Sequence, residues 1–271
     1  MDHKFVPLAL VMMAAWLAGA ELQGPRPASA PLLSQHEIEA LDGMEPPAQV
    51  KLLTERALNQ YQGALEQIHQ RLGGWRGRIE STPELERMLS MAYNANDLRI
   101  REAAVDISLI AHHVEQTQER ADRLTRELQT APGSKAWRLW MLGLVGHKGI
   151  DQARVFETLR SYASSSDENT RYWAVEALAH LATDDVIYPL LRILHDDPSA
   201  NIRERAACGL AQSGLLTSDQ RKQAVPTLLR YTDDASLDEQ TRKWAFQALR
   251  DITGESLAED PTAWRNWYSR Q

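Results

Sequence analysis

Three octapeptides in the C-terminal half of the chain are variants of one pattern. They are Arg171-Tyr172-Trp173-Ala174-Val175-Glu176-Ala177-Leu178, Arg203-Glu204-Arg205-Ala206-Ala207-Cys208-Gly209-Leu210 and Arg242-Lys243-Trp244-Ala245-Phe246-Gln247-Ala248-Leu249. Each has an arginine, small residues three and six positions later, and a leucine at the seventh. Eleven or twelve residues before each arginine lies a second match, at Leu159-Arg160, Leu191-Arg192 and Leu229-Arg230. Weaker copies occur at Arg126 with Arg138 and at Arg87 with Arg99 or Arg101, which makes five units. Arg138, Arg171, Arg203 and Arg242 follow one another at steps of 33, 32 and 39 residues.

Two helices per unit, a polar turn between them and a period in the thirties predict an all-α fold, an α-solenoid of helical hairpins. One hairpin cannot bury its apolar stripe alone, so each must stack on its neighbours. Small residues at the third and sixth positions (Ala174 and Ala177, Ala206 and Gly209, Ala245 and Ala248) let the second helices approach closely. Pro189 and Pro226 fall inside the first helices, where the lost i→i−4 bond predicts a kink.

Upstream the helix signals continue. Ser34 with Glu37 forms a capping box, Gly43 ends that short helix, and Pro46-Pro47 opens the next. Val50, Leu53, Ala57, Tyr61, Ala64, Ile68 and Leu72 recur at steps of three or four, which predicts one long amphipathic helix closed by Gly73-Gly74. Thr82 before Pro83 starts another. The organisation expected is a targeting segment over 1–20, a Pro-rich linker over 21–33, an N-terminal helical segment over 34–80 and the solenoid over 81–271.

The residues of the repeats resemble bacterial HEAT or HEAT-like (armadillo-type) repeats: Asp/Pro turns, Arg-x-x-Ala-x-x-Ala-Leu, and Pro-Leu-Leu-Arg in the partner helix. The resemblance covers about Thr82 to Gln271 and is strongest from Ser164 to Gly254. The closing stretch, Asp260-Pro261-Thr262-Ala263-Trp264-Arg265-Asn266-Trp267-Tyr268, is similar to the tail of many such proteins. The resemblance implies a fold and a habit of binding other proteins rather than a reaction. It also brings two rival expectations, because some relatives attach bilin pigments and others are DNA glycosylases. Read from its own residues, the tail is a short helix capped by Asp260, with Trp264 and Trp267 on one face as a lid over the last repeat.

Residues 5–20, FVPLALVMMAAWLAGA, are uncharged and apolar, follow Lys4, and end in the small-x-small site Ala18-Gly19-Ala20; Ala28-Ser29-Ala30 is a second. As a helix they reach ~24 Å, short of a ~30 Å hydrocarbon core. The expectation is a cleaved export signal and a periplasmic or secreted protein, with an uncleaved anchor at 5–20 as the alternative and the sole route to membrane contact. A single cysteine, Cys208, excludes an intramolecular disulfide framework. With 30 Lys and Arg against 37 Asp and Glu the net charge is −7, which disfavours nucleic acid as a partner.

No nucleophile elbow, P-loop or zincin motif is present. Among eight histidines the tight cluster is His112-His113-Val114-Glu115, and adjacent helical positions point about 100° apart, so the two rings cannot share an ion. The expectation is therefore no catalytic residue, no metal and no cofactor. The repeat arginines Arg171, Arg203 and Arg242 are expected to form an internal ladder with turn carboxylates such as Glu168, Asp197 and Glu239. If second helices line the concave side, positions one, five and nine after each arginine face outward. These are Tyr172, Glu176 and His180; Glu204, Cys208 and Gln212; and Lys243, Gln247 and Asp251. Tyr172, Glu176, His180, Glu204, Gln212, Lys243 and Gln247 are the candidate surface for a protein or peptide. The function expected is a non-catalytic scaffold of the cell envelope; the alternative is a lyase-like or cofactor-handling repeat protein.

Overall fold

A computed structural model describes residues 30–271. The expected export segment with its first cleavage candidate, and most of the expected linker, lie outside the described residues, and the second candidate reaches them only at Ala30. The described chain forms α1 (Gln35–Asp42), α2 (Pro46–Leu58), α3 (Ala64–Trp75), α4 (Pro83–Tyr93), α5 (Leu98–Ala111), α6 (Gln118–Thr130), α7 (Ala136–His147) and α8 (Gln152–Tyr162). It continues through α9 (Glu168–Leu181), α10 (Ile187–Asp196), α11 (Ala200–Ala211), α12 (Ser218–Lys222), α13 (Val225–Tyr231), α14 (Glu239–Thr253) and α15 (Pro261–Tyr268). Among the described residues there is no strand, and the one β-bridge pairs Leu32 with Gln62. No described helix is long and apolar enough to cross a membrane.

The chemistry of the helix starts is that read from the sequence. Ser34 and Glu37 form their reciprocal capping box, and Thr82, Asp167, Asp238 and Asp260 each accept from a first-turn amide. Five hairpins follow: α4/α5, α6/α7, α8/α9, α10/α11 and α13/α14. They form an α-solenoid, closed by α15. There Trp264 is fully buried and its indole N–H donates to the Ala258 carbonyl at 3.0 Å, with Trp267 packed beside it. One apolar cluster runs from Leu33 to Ala111 and a second from Val105 to Trp264, so α5 belongs to both and the core continues across residue 80.

Three local expectations are corrected. The stripe from Val50 to Leu72 is two helices, broken at Asn59–Gly63, where Gln60 and Gly63 both take positive φ. The stripe stays buried because α2 and α3 fold onto each other and share it. Gly73-Gly74 does not close α3; the helix runs on to Trp75, which is buried with its indole N–H donating to Gln49 at 2.7 Å. Pro189 and Pro226 kink nothing, because each lies in the first turn of its helix, where no intrahelical partner is lost.

The arginine ladder is present and has a two-sided geometry. Arg171 donates through Nη1 to the Ser165 carbonyl of its own turn (2.9 Å) and through Nε to Asp197 of the next unit (2.9 Å). Arg203 repeats this with the Asp197 carbonyl (2.8 Å) and Asp238 (2.7 Å). Arg242, at the end of the array, keeps the carbonyls of Leu237 and Asp234 alone. Of the carboxylates expected, Asp197 is used, while Glu168 and Glu239 pair with Ser199 and Lys243. The Arg171–Asp197 pair is buried, so its loss costs more than the ~0–1 kcal/mol of a surface ion pair.

Small residues bring the second helices together. A Cβ at Gly143 in α7 would sit 2.7 Å from the Ala177 carbonyl of α9, and one at Gly209 in α11 would sit 3.0 Å from Ala179 Cβ. Gly143→Ala is therefore expected to lower stability by about 1–2 kcal/mol, overpacking outweighing better helix propensity. Gly73→Ala, exposed with nothing within 4 Å, is expected to raise it by up to about 1 kcal/mol. Denaturant unfolding of both variants checks the opposite signs.

Candidate functional site

The second helices, together with the loop between α11 and α12, enclose a groove of about 1260 Å³. Its wall is built from α5 (Leu98, Arg101), α9 (Glu168, Asn169, Tyr172, Trp173), α11 (Asn201, Glu204, Arg205, Cys208) and the end of α14 (Asp251, Ile252). None of the lining comes from α6, α8, α10 or α13, so the first helices form the opposite side of the stack.

The groove owes its closure to the long third period. Between α11 and α13 the chain inserts Gln212–Thr217 and the short helix α12. Gly214, at φ +72°, lies so close to the Ala179 carbonyl that a Cβ would stand 2.4 Å from it, and Leu215 donates its amide to that same carbonyl at 3.0 Å. Arg221 of α12 holds the loop by donating to the carbonyls of Leu216 (3.0 Å), Leu210 (2.8 Å) and Ser213 (2.8 Å). Burial pushes the Arg221 guanidinium down to about 10. From the far side, Arg101 of α5 donates to the Gln212 carbonyl, so the first hairpin touches the loop that follows the fourth.

Beneath the groove lies a buried polar layer. Glu176 is 5 % exposed and pairs with Arg205 at 3.0 Å, while Arg205 also donates to Ser213 Oγ. Burial works against the Arg205 charge, but Glu176 outweighs it and holds the guanidinium ionised. Tyr172 sits over this pair, its phenol pushed up to about 12 by burial. His180 is 2 % exposed and is stacked edge-on between Trp140 (4.3 Å) and Tyr93 (5.5 Å). Its Nδ1 lies 2.9 Å from the Glu176 carbonyl, which only accepts, so Nδ1 carries the proton. Tyr93, Trp140, Trp173 and Tyr172 form a continuous edge-to-face run along this side, with centroids 5.0, 6.2 and 5.6 Å apart. Of the tryptophans on the second helices, Trp244 is buried, whereas Trp137, Trp140 and Trp173 are half-buried.

Of the seven candidate surface residues, Tyr172, Glu204 and Gln212 line the groove. Glu176 and His180 do not face outward: Arg205 of α11 covers the first, and Trp140 of α7 with Tyr93 of α4 the second, which turns those positions into buried pairing and stacking positions. Lys243 is exposed beside Glu239 (2.7 Å), and Gln247 donates to Asp251 (2.8 Å); neither lines the groove. Cys208, 8 % exposed, is buried yet contributes to the wall. His112 and His113 face different carboxylates, Glu86 at 3.0 Å and Glu80 at 2.9 Å. Among the described residues no three His, Cys, Asp or Glu side chains gather where a metal ion would need them. Sequence reasoning missed Arg101 and the inserted loop. Their signals were an arginine inside the apolar run of α5 and the step of 39 residues where the others are 32 and 33.

Fold and groove together define a helical-repeat solenoid of the kind that commonly mediates protein binding. Residues 121–211 match the family described as HEAT repeats, which places that family's pattern on α6 to α11. Comparison with curated proteins gives no match. Among solved structures, a designed armadillo repeat protein in complex with the peptide (KR)4 is similar at 18% identity. The likeness covers 77% of this chain and 100% of that one at a TM-score of 0.34.

Glu176→Gln strands a buried guanidinium and is expected to cost about 3–5 kcal/mol in urea unfolding, whereas the apolar double variant Glu176→Leu with Arg205→Met loses much less. Burial lowers the His180 pKa from about 6.5 to about 3. The folded state then binds fewer protons than the unfolded one between those values, so this contribution to stability is complete above pH 6.5 and is lost as pH falls. At pH 5 the loss is on the order of 2 kcal/mol. His180→Phe keeps the stacking and should flatten the difference in unfolding free energy between pH 7 and pH 5.

Proposed function

We propose that this chain is a non-catalytic binding module that holds an extended segment of a partner protein in the groove of its second helices. The observation that carries this reading is the wall itself. Half-buried aromatic rings (Tyr172, Trp173) and short polar side chains (Asn169, Asn201, Glu204, Gln212) line a trough built on rigid helices. Aromatic rings supply contact area at low entropic cost, and amides and carboxylates pair with a partner's backbone. Helices that present such a trough need no reacting group, and the sequence offers no nucleophile or acid–base motif to add one.

We further propose that the module works in the cell envelope, on the strength of the apolar run at residues 5–20 and its small-residue cleavage site. Amino-terminal sequencing of the protein from an envelope fraction checks this, with a mature terminus after Ala20 as the expected result and residence in the cytosol as the contrary one.

Peptide display against the full chain tests the groove. Peptides selected on the native protein should bind Tyr172→Ala and Glu204→Ala at least about tenfold more weakly, as interface anchors do. Arg160→Ala, on the opposite side, should leave them unaffected. Equal affinity for all three variants would remove the groove assignment.

A further inference from the structure

We infer that Arg101 is a carboxylate-binding position at one end of the groove, which seats either the C-terminal carboxylate or an acidic side chain of a bound peptide. The inference rests on the peptide-binding reading and names the chemistry that one end of the trough selects.

The argument starts from an imbalance. Arg101 is 5 % exposed and lines the groove, yet it forms no ion pair, donates one hydrogen bond, to the Gln212 carbonyl, and leaves its buried Nε without a partner. Every carboxylate that shares its helix or its turn is committed elsewhere. Asp97 is held by Arg99 (2.7 Å), Glu102 by His147 (2.9 Å) and Asp106 by Lys148 (2.8 Å). Across the groove, Glu176 is taken by Arg205 and Asp251 by the amides of Gln212 and Gln247. A second guanidinium, that of Arg221, adds its field to that of Arg101 and is itself spent on three carbonyls. Burial holds the Arg101 pKa below its ordinary value, although Asp97 and Glu102 act on it from beyond ion-pair distance in the opposite direction.

A buried arginine without a contact ion pair is costly, and a carboxylate placed against it would offset that cost. Nε is sealed from the groove, so a carboxylate would meet the terminal Nη groups of the guanidinium, of which one N–H is taken by the Gln212 carbonyl. A volume of about 1260 Å³ is far larger than a free carboxylate, so the group that enters belongs to a longer molecule. Asn96, in the turn between α4 and α5, also lines the groove.

The test uses the full chain with three small probes: N-acetylalanine for a chain end, N-acetylglutamate α-amide for an acidic side chain, and N-acetylalanine amide as the neutral control. The Arg101 Nε–H resonance, assigned by its loss in Arg101→Met, should shift with at least one of the two carboxylates and stay still with the neutral amide. The tighter of the two identifies the source. Arg101→Met should abolish carboxylate binding, and Arg101→Lys should weaken it about tenfold, because an ammonium lacks the fork. A purely structural arginine would lower Tm when replaced. Arg101→Met should instead melt no lower than the native chain, since the Gln212 carbonyl still faces Arg221 Nη2 at 3.5 Å. A resonance unmoved by both carboxylates, or moved equally by the neutral amide, overturns the inference, as does undiminished binding by Arg101→Met. If display-selected peptides bind the groove equally well with and without Arg101, this inference falls while the groove reading stands. If both carboxylates bind at Arg101 but no peptide enters the groove, the groove reading falls instead.

Discussion

The structure depends on how closely the second helices can approach one another. Gly143 lies against Ala177, and Gly209 against Ala179, at separations that leave no room for a further methyl group. The first helices carry Leu159, Leu191, Leu194, Leu228 and Leu229 at their buried positions, so that side of the stack is held wider. A stack that is tight on one side and wide on the other must curve toward the tight side. The trough lies on the side of α5, α9, α11 and α14. The two-sided arginines act along the same direction, each tying its own turn to the carboxylate of the next unit, so register between units is set by directional contacts and spacing by bulk.

Curvature alone would leave the trough open. The inserted residues between α11 and α13 close it, and they do so by satisfying backbone groups rather than by adding an apolar surface. Leu215 borrows the Ala179 carbonyl, and Arg221 holds the carbonyls of Leu210, Ser213 and Leu216 closely and reaches those of Gly209 and Gln212 at 3.5 Å. A helix C-terminus leaves carbonyls without partners, and a buried arginine is an economical way to satisfy several at once. The loop is therefore rigid where it faces the trough, as a binding wall requires.

The legibility of all this in the sequence was uneven, for physical reasons. Repeat units, caps and the tryptophan lid were readable because each is fixed by contacts within a few residues or by copies at a constant step. The break at Asn59–Gly63 was not, because a helical stripe and a hairpin that folds the same stripe onto itself have one periodicity. At the site, Tyr172, Glu204 and Gln212 were found from helical geometry, since a position one, five or nine residues past the repeat arginine faces the inner side. Glu176 and His180 obey the same geometry and are nonetheless buried, because what covers them, Arg205 of α11, Trp140 of α7 and Tyr93 of α4, comes from other helices. Periodicity assigns a residue to a side of its helix; it carries no information on what else reaches that side.

Four arginines near the inner side show how burial sorts roles that one residue type leaves undecided. Arg171 has a carboxylate and two carbonyls and belongs to the repeat. Arg205 has Glu176 and belongs to the layer under the trough. Arg221 has no carboxylate within ion-pair distance but a full set of carbonyls, so its donors are spent even though its charge is not cancelled. Arg101 has one carbonyl and an idle Nε. The first three can be explained by folding, because removing any of them strands polar groups that have no other partner. Arg101 differs, since the one carbonyl it reaches is shared with Arg221. Arg101 thus stands at the wall of the trough with no ion pair of its own, Asp97 and Glu102 acting on it only from a distance, and the proposal of a bound carboxylate starts from that imbalance.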